Sequence, residues 1–86
     1  MTTIVSLSTW GHWIEVDLGN RPKNRVVVRC DGRVVVSESK WLFPGRYTFH
    51  VDEGSEQVEY ILELKVRPYH IPITLTRDGT PVLVIP

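Results

Sequence analysis

The chain has 86 residues, and its ten basic and ten acidic side chains give a formal net charge of zero at pH 7. A chain of this length can bury one modest hydrophobic core, so we expect a single domain over residues 1–86 without a deep active site. Phosphate binding requires a surplus of basic groups, so a nucleic-acid partner is not expected.

The single cysteine, Cys30, bears on the expected compartment. One cysteine cannot form an intramolecular disulfide, which fits a reducing environment. No apolar run approaches the roughly 18 residues that cross a bilayer, and residues 1–7 do not resemble a secretion signal. We therefore expect a cytoplasmic protein without membrane contact.

Apolar and polar residues alternate in short runs separated by Gly, Pro, Asn and Asp, as is typical of half-buried antiparallel strands. Apart from the run 57–67, no run of residues fits the spacing of a helix as well as it fits that of a strand. The predicted strands are 3–8, 12–18, 25–30, 33–37, 46–51, 57–67, 71–76 and 82–85. The pattern predicts an all-β fold, a small antiparallel β-sandwich of about eight strands, with a flattened barrel as the alternative.

The run 57–67 is compatible with either a helix or a strand. Four of its apolar residues lie at helical spacing, but five lie at strictly alternate positions, as a strand requires. Ile61 is the one apolar residue that breaks the alternation. We predict a strand whose buried residues are Val58, Tyr60, Leu62, Leu64 and Val66.

The Asp31-Gly32 pair predicts a β-hairpin, and its register decides which side chains share a face. A two-residue turn would place Cys30 opposite Arg33 and scatter valines and arginines over both faces. A three-residue loop with Gly32 as a left-handed bulge separates the two kinds of residue. We predict this loop, which pairs Val28 with Val34 and Val26 with Val36 and directs all four valines inward.

The predicted register leaves a basic and partly apolar set of residues on the exposed side, here called the arginine face: Arg25, Val27, Arg29, Arg33 and Val35. Residues 21–46 contain seven basic and two acidic side chains, whereas residues 52–63 contain five acidic side chains and no basic one. Either these stripes neutralise each other across the sheet, or they meet between two molecules. The second interpretation predicts contact with a protein partner or a homodimer.

Tryptophans form the second candidate site. Trp13 has the same parity as Glu15 and Asp17, which predicts that it faces solvent together with the nearby Trp10. Exposed tryptophans can stack on sugar rings or anchor a protein. The alternative is that the N-terminal strand or a loop covers Trp13, which then closes one end of the core. Trp41, with its neighbours in the segment 41–43, is predicted to lie in the core.

Catalytic and metal-binding motifs are missing from the sequence. The three histidines, His12, His50 and His70, have no ligand-spaced pair, and Cys30 has no histidine in a matching context. Neither a nucleophile elbow nor a phosphate-binding glycine loop is present. We expect no enzymatic activity, no metal and no cofactor.

Several of these residues occur together in one family. A segment with His12, Ile14 and Glu15 precedes a loop with Gly and Lys, and the following residues continue the order: Arg25, Val26, Val27, Asp31, Gly32, Lys40, Trp41, Phe43, Tyr60, Leu62 and Leu64. Over about residues 10–82 the chain resembles one domain of the Fas apoptotic inhibitory molecule family. The resemblance implies a compact antiparallel β-sandwich without catalytic residues that acts through contacts with other proteins. The family usually joins two such domains in one chain, whereas residues 1–86 account for one, so we expect a single-domain relative.

The sequence as a whole predicts contact with another protein rather than catalysis. The leading hypothesis is a non-enzymatic protein-interaction domain that uses the arginine face, with self-association as one form of that contact. The alternative is a small ligand-binding or carbohydrate-binding module that uses Trp10 and Trp13.

Overall fold

A computed structural model describes residues 2–19, 23–41 and 44–86, and this part of the chain consists of strands and connecting turns without a helix. The eight strands are β1 (Thr2–Thr9), β2 (His12–Gly19), β3 (Asn24–Cys30), β4 (Arg33–Lys40), β5 (Gly45–Glu53), β6 (Glu56–Leu64), β7 (Ile73–Arg77) and β8 (Thr80–Ile85). It follows that the described ranges include no helix suited to crossing a membrane. The predicted all-β class and the number of strands are confirmed.

Each group of four consecutive strands forms an antiparallel sheet in which chain neighbours pair. Sheet 1 has the order β1-β2-β3-β4, and sheet 2 has the order β5-β6-β7-β8. The chain divides into two compact units, Met1–Phe43 and Pro44–Pro86, with one sheet in each. The described strands thus form two four-stranded antiparallel sheets, and neither sheet closes into a barrel.

Alternation along β2 and β3 builds the buried face of sheet 1, because successive side chains of a strand point to opposite faces. Ile14 pairs with Cys30, Val16 with Val28 and Leu18 with Val26. All six side chains are buried. The parity predicted for β2 and β3 is therefore confirmed at these positions.

Sheet 2 buries larger side chains at alternate positions of its strands. Phe49 and Tyr60 are direct cross-strand partners, and their rings stack with centroids 5.2 Å apart. The buried residues of sheet 2 are Tyr47, Phe49, Val51, Val58, Tyr60, Leu62, Leu64, Ile73 and Leu75. Residues 57–64 thus form a strand, as predicted for the run 57–67, and the helical alternative is wrong.

The strand β6 is shorter than predicted because the chain turns after Leu64. Arg67 and His70 form an isolated antiparallel bridge around residues 68–69, and the Lys65 amide donates to the Pro72 carbonyl. Val66, predicted to be buried, is exposed. The following strand begins at Ile73, after Pro72, since proline lacks the amide hydrogen that a ladder requires.

The hairpin between β3 and β4 has a different register from the predicted one. Cys30 lies opposite Arg33, so Asp31 and Gly32 form a two-residue turn with φ values of 53° and 84°. Two positive φ values are typical of the type I′ turn that matches the twist of a hairpin. The predicted three-residue loop is therefore wrong.

A bulge is nevertheless present in this hairpin, farther from the turn. The register shifts between Val28 and Arg29: Val28 pairs with Val36 and Arg29 pairs with Val34, so Val35 is the extra residue. Val34 is 51% exposed and Val36 is 8% exposed. The prediction that Val34 faces inward is wrong, because the bulge changes the parity of β4 between these two valines.

Candidate functional site

The arginine face lies on the exposed side of sheet 1, but part of its surface is already occupied. The guanidinium groups of Arg25 and Arg29 each lie 3.8 Å from a carboxylate oxygen of Asp17. Arg33 is exposed, but it lies opposite Cys30, whose side chain faces the buried side of the sheet. The prediction that Arg33 shares a face with Arg29 is therefore wrong, because the two-residue turn reverses the parity of the first residues of β4. Val35 is only partly buried at the bulge. Arg25 and Arg29 therefore share this surface with two carboxylates, Asp17 and Glu15, the latter directly opposite Arg29 on β2.

Val27 does not contribute an exposed apolar contact, because it is only 7% exposed. It lies on an interior strand, between Asp17 on β2 and Ser37 on β4. Arg25 and Arg29 stand two residues away on either side along β3. Side chains therefore surround Val27 in both directions of the sheet, and its predicted exposure is wrong.

The acidic and basic stripes meet only in part. Arg46 pairs with Glu63 at 3.1 Å, as the interpretation of neutralisation across a sheet predicts. The described pairs of Arg25 and Arg29 are instead with Asp17 of their own sheet. Glu53 forms an ion pair with Arg77, which raises the pKa of the Arg77 guanidinium.

The four sheet edges differ in how well they are protected against pairing with another strand. Protection usually comes from charges, proline or a bulge. In the described structure β4 has the bulge and charged residues, β5 carries charged residues, and β8 contains Pro81 and a register shift. The edge strand β1 has none of these features.

The strand β1 is long, uncharged and regular. Its sequence is TTIVSLST, and it pairs with β2 without a shift from Thr2 opposite Gly19 to Thr9 opposite His12. Its residue Ile4 is 61% exposed and lies opposite Asp17. The edge of β1 that faces away from β2 has no partner strand among the described residues, so the backbone groups on that edge are available to an additional strand.

The two turns at one end of sheet 1 lie beside each other because the sheet is a simple meander. The Asp31 amide donates to the Trp13 carbonyl at 2.8 Å, and the Trp13 amide donates to Asp31 Oδ1 at 2.8 Å. His12 Nδ1 donates to Asp31 Oδ2 at 2.7 Å. These hydrogen bonds hold the pKa of the Asp31 carboxyl below its ordinary value of 3.8. The bond from His12 has the larger effect, and the bond from the Trp13 amide has the next largest.

Cys30 completes a group that we call the turn cluster, formed by His12, Cys30 and Asp31. The cysteine is buried, and its Sγ lies 3.9 Å from Asp31 Oδ2. One ligand atom from each of the three residues lies within 4.8 Å of the others. Ligand spacing along one segment does not indicate this cluster, because the cluster depends on the two-residue turn and on the register of β2 with β3.

Both candidate tryptophans are exposed. Trp10 is 69% exposed at the first turn, and Trp13 is 49% exposed with its indole Nε1 donating to Glu15 Oε1 at 3.0 Å. The solvent-facing parity predicted for Trp13 is confirmed, and the alternative of a covered Trp13 is wrong.

Trp41, predicted to lie in the core, is exposed. It follows the end of β4 at Lys40, so strand parity does not direct it inward. Lys23 Nζ lies 5.1 Å from the centroid of the Trp41 ring, and Asn24 Nδ2 donates to the Trp41 backbone carbonyl at 2.6 Å. The prediction for its neighbours Leu42 and Phe43 falls outside the described residues.

A cavity of about 320 Å³ lies beside sheet 2. Its lining combines the exposed side of β6, β7 and β8 with the segment that follows β6, and it includes Glu63, Lys65, Arg67, His70, Thr74 and Val84. Glu63 lies 4.0 Å from Lys65 and 3.1 Å from Arg46, so part of the charge at this cavity is compensated within sheet 2. The sequence did not indicate it, because the cavity depends on how residues 65–72 fold back.

Comparison of the chain with protein-family models finds no match, and comparison with curated protein sequences finds no match either. The resemblance to a domain of the Fas apoptotic inhibitory molecule family therefore stays a prediction from the sequence.

Proposed function

We propose that this chain is a non-enzymatic protein-interaction domain, as its resemblance to a Fas apoptotic inhibitory molecule domain implies, and that it self-associates through β1. The supporting observation is the contrast between edges: β1 is uncharged and regular, whereas β4, β5 and β8 carry charges, proline or a bulge. Main-chain hydrogen bonds at such an edge recruit another extended strand.

A second copy of β1 is a suitable strand for this edge. Two identical strands can pair antiparallel about a two-fold axis, and the lack of charge on β1 means that two copies do not repel each other. In a continuous sheet the buried face of one copy must continue into the buried face of the other, so positions of like parity must pair. The two-fold axis therefore passes through a residue near the middle of β1, either Val5 or Ser6. With the axis at Val5, Ile4 of one copy lies opposite Ser6 of the other, and two four-stranded sheets become one.

The arginine face is the second candidate surface for protein contact, and it is less available than the edge. Arg25 and Arg29 already flank Asp17, and Val27 is buried between them. An acidic partner would have to compete with Asp17 for both guanidinium groups. The exposed residue Val34, which lies opposite Arg29, remains available on this side of the sheet.

Sedimentation velocity from micromolar to millimolar protein tests the proposal. The variant Ile4→Lys places a charge on the edge while Asp17 lies opposite to receive it, so the folded monomer is preserved. Val84→Lys is the matched control, because Val84 is also 61% exposed on an edge strand. We expect the wild type and Val84→Lys to form dimers at the same concentration and Ile4→Lys to remain monomeric.

A double variant separates the edge from the arginine face. Arg29→Glu with Arg33→Glu reverses one charge on the arginine face and one beside the turn after β3, without changing β1. We therefore expect its dimerisation to match that of the wild type. Dimers lost in this variant but retained in Ile4→Lys would assign the contact to the arginine face. A wild type that is monomeric at millimolar concentration would refute self-association.

A second candidate function uses the tryptophans. The exposure of Trp10 and Trp13 near one turn favours a ligand-binding or carbohydrate-binding role. Tryptophan fluorescence measured across a panel of glycans tests this role, with Trp10→Ala and Trp13→Ala as controls. Emission that stays unchanged with every glycan would contradict it.

A cytoplasmic location is part of the proposal. Cys30 is a buried thiol and the one cysteine of the sequence, which suits a reducing compartment. Cell fractionation with antibody detection tests this, and recovery of the protein only outside the cytoplasmic fraction would contradict it.

A further inference from the structure

The geometry points to a metal site at the turn cluster: we propose that His12, Cys30 and Asp31 bind a zinc ion. This proposal is independent of self-association, because it rests on the turns at one end of sheet 1 and not on the free edge of β1. Its starting point is the approach of three different donor groups from β2, β3 and the turn after β3.

The donor set suits zinc in chemistry and in distance. Imidazole nitrogen, thiolate sulfur and carboxylate oxygen are all common zinc ligands, with bonds of about 2.0–2.3 Å. Ligand atoms in a tetrahedral site are therefore roughly 3–4 Å apart. Asp31 Oδ2 lies 2.7 Å from His12 Nδ1 and 3.9 Å from Cys30 Sγ, so small side-chain rotations bring the three atoms to these separations.

The carboxylate is oriented before any ion binds. Asp31 Oδ1 accepts the hydrogen bond of the Trp13 amide, which leaves Oδ2 directed towards His12 and Cys30. The Asp31 amide is tied to the Trp13 carbonyl in turn, and the two positive φ values define the turn itself. Hydrogen bonds that hold a ligand in this way typically change metal affinity by about 10–100-fold.

The cluster is open on the side of Asp31, which is exposed, while Cys30 is buried. Three protein ligands leave the fourth position of a tetrahedral ion to water. Binding requires the thiolate form of Cys30, so the thiol proton passes to solvent when the ion enters. Zinc should therefore hold the two turns together and raise the stability of sheet 1.

Cobalt(II) titration of tag-free protein under reducing conditions tests the site, because cobalt replaces zinc and reports on its ligands by absorption. We expect one ion per chain, a thiolate-to-cobalt charge-transfer band in the near ultraviolet, and loss of the band when zinc is added. Cys30→Ser should abolish the band. His12→Gln and Asp31→Asn should each weaken binding about tenfold or more.

His50→Gln is the matched control. His50 lies 3.7 Å from Glu59, so it is also a histidine beside a carboxylate, but it is not part of the cluster with Cys30. We expect this variant, and Ile4→Lys, to bind cobalt like the wild type. Circular dichroism should show that the variants are folded, and Asn at position 31 retains both the Oδ1 acceptor and tolerance of a positive φ.

Two outcomes of the cobalt titration would overturn the proposal. A wild type without the charge-transfer band, or cobalt affinity that is unchanged in both His12→Gln and Asp31→Asn, would show that the turn cluster is not a metal site. Thermal unfolding gives a second readout: zinc should raise the melting temperature of the wild type but not that of Cys30→Ser. An equal shift in both would place the zinc elsewhere.

Discussion

Val34 and Val36 offer a direct test of the bulge in β4. A regular strand would place these two residues on the same face, since they are two positions apart. In the structure the extra residue Val35 separates them, so that Val36 is 8% exposed and Val34 is 51% exposed. Replacing each by alanine removes the same two methyl groups from two different environments.

The expected magnitudes follow from burial. Fully burying a valine contributes about 1.5–3 kcal/mol, so we expect Val36→Ala to lower the free energy of unfolding by about 2 kcal/mol. An exposed substitution such as Val34→Ala should change it by less than about 0.5 kcal/mol. For a domain of this size these values correspond to a decrease in melting temperature of about 8–16 °C for Val36→Ala and under about 4 °C for Val34→Ala.

Thermal unfolding in dilute solution, followed by far-ultraviolet circular dichroism, measures both effects without interference from self-association. The loss of strand propensity is common to the two variants, so the difference between them reports on burial alone. Equal losses in Val34→Ala and Val36→Ala would refute the bulge and restore the regular register in which both valines face inward.

Two further substitutions test the packing and the turn, both by urea denaturation. Leu62 is fully buried on an interior strand, so Leu62→Ala should lower the free energy of unfolding by about 2–5 kcal/mol. Ile61→Ala on the opposite face should lower it clearly less. The reverse order would contradict the assigned faces of β6. Gly32 has a φ of 84° and no atom within 4 Å of an added Cβ, so Gly32→Ala should cost only the left-handed conformation, about 1–2 kcal/mol, and a neutral substitution would argue against the type I′ turn.

The alternation of residue types predicted the strands and most of the buried face, for a physical reason. In a strand with one buried side, each position is either inside or outside, and β2, β3, β5 and β6 show this pattern in the sequence. The run 57–67 was ambiguous in its spacing, but the strictly alternate residues of its first part correctly indicated a strand. The strand class and parity were therefore predictable from local sequence.

The register of the β3–β4 hairpin could not be predicted by the same rule. Segregation of valines from arginines favours the three-residue loop, whereas the structure forms a type I′ turn at Asp31 and Gly32 and exposes Val34. The turn geometry and the bulge together determine the faces of β4, and neither is visible in residue alternation. Trp41 was misplaced for a related reason, since it lies beyond the last residue of its strand.

The turn cluster also depends on information that a linear pattern lacks. His12 and Asp31 are neighbours only because β2 and β3 pair with Ile14 opposite Cys30. The sequence contained a partial signal, namely a histidine directly after one turn and a Cys-Asp-Gly segment at another. In a meander these alternate turns fall at the same end of the sheet, which would have suggested their proximity.

Amide hydrogen exchange of β1, measured at low and at high protein concentration, tests the central proposal most directly. Exchange reports on each backbone amide, so it detects the added strand itself and not only a change in mass. We expect the amides of β1 that point away from β2 to exchange more slowly at high concentration, while those of β8 stay unchanged. Exchange of the β1 amides that is independent of concentration, in a sample that nevertheless dimerises, would contradict pairing through this edge.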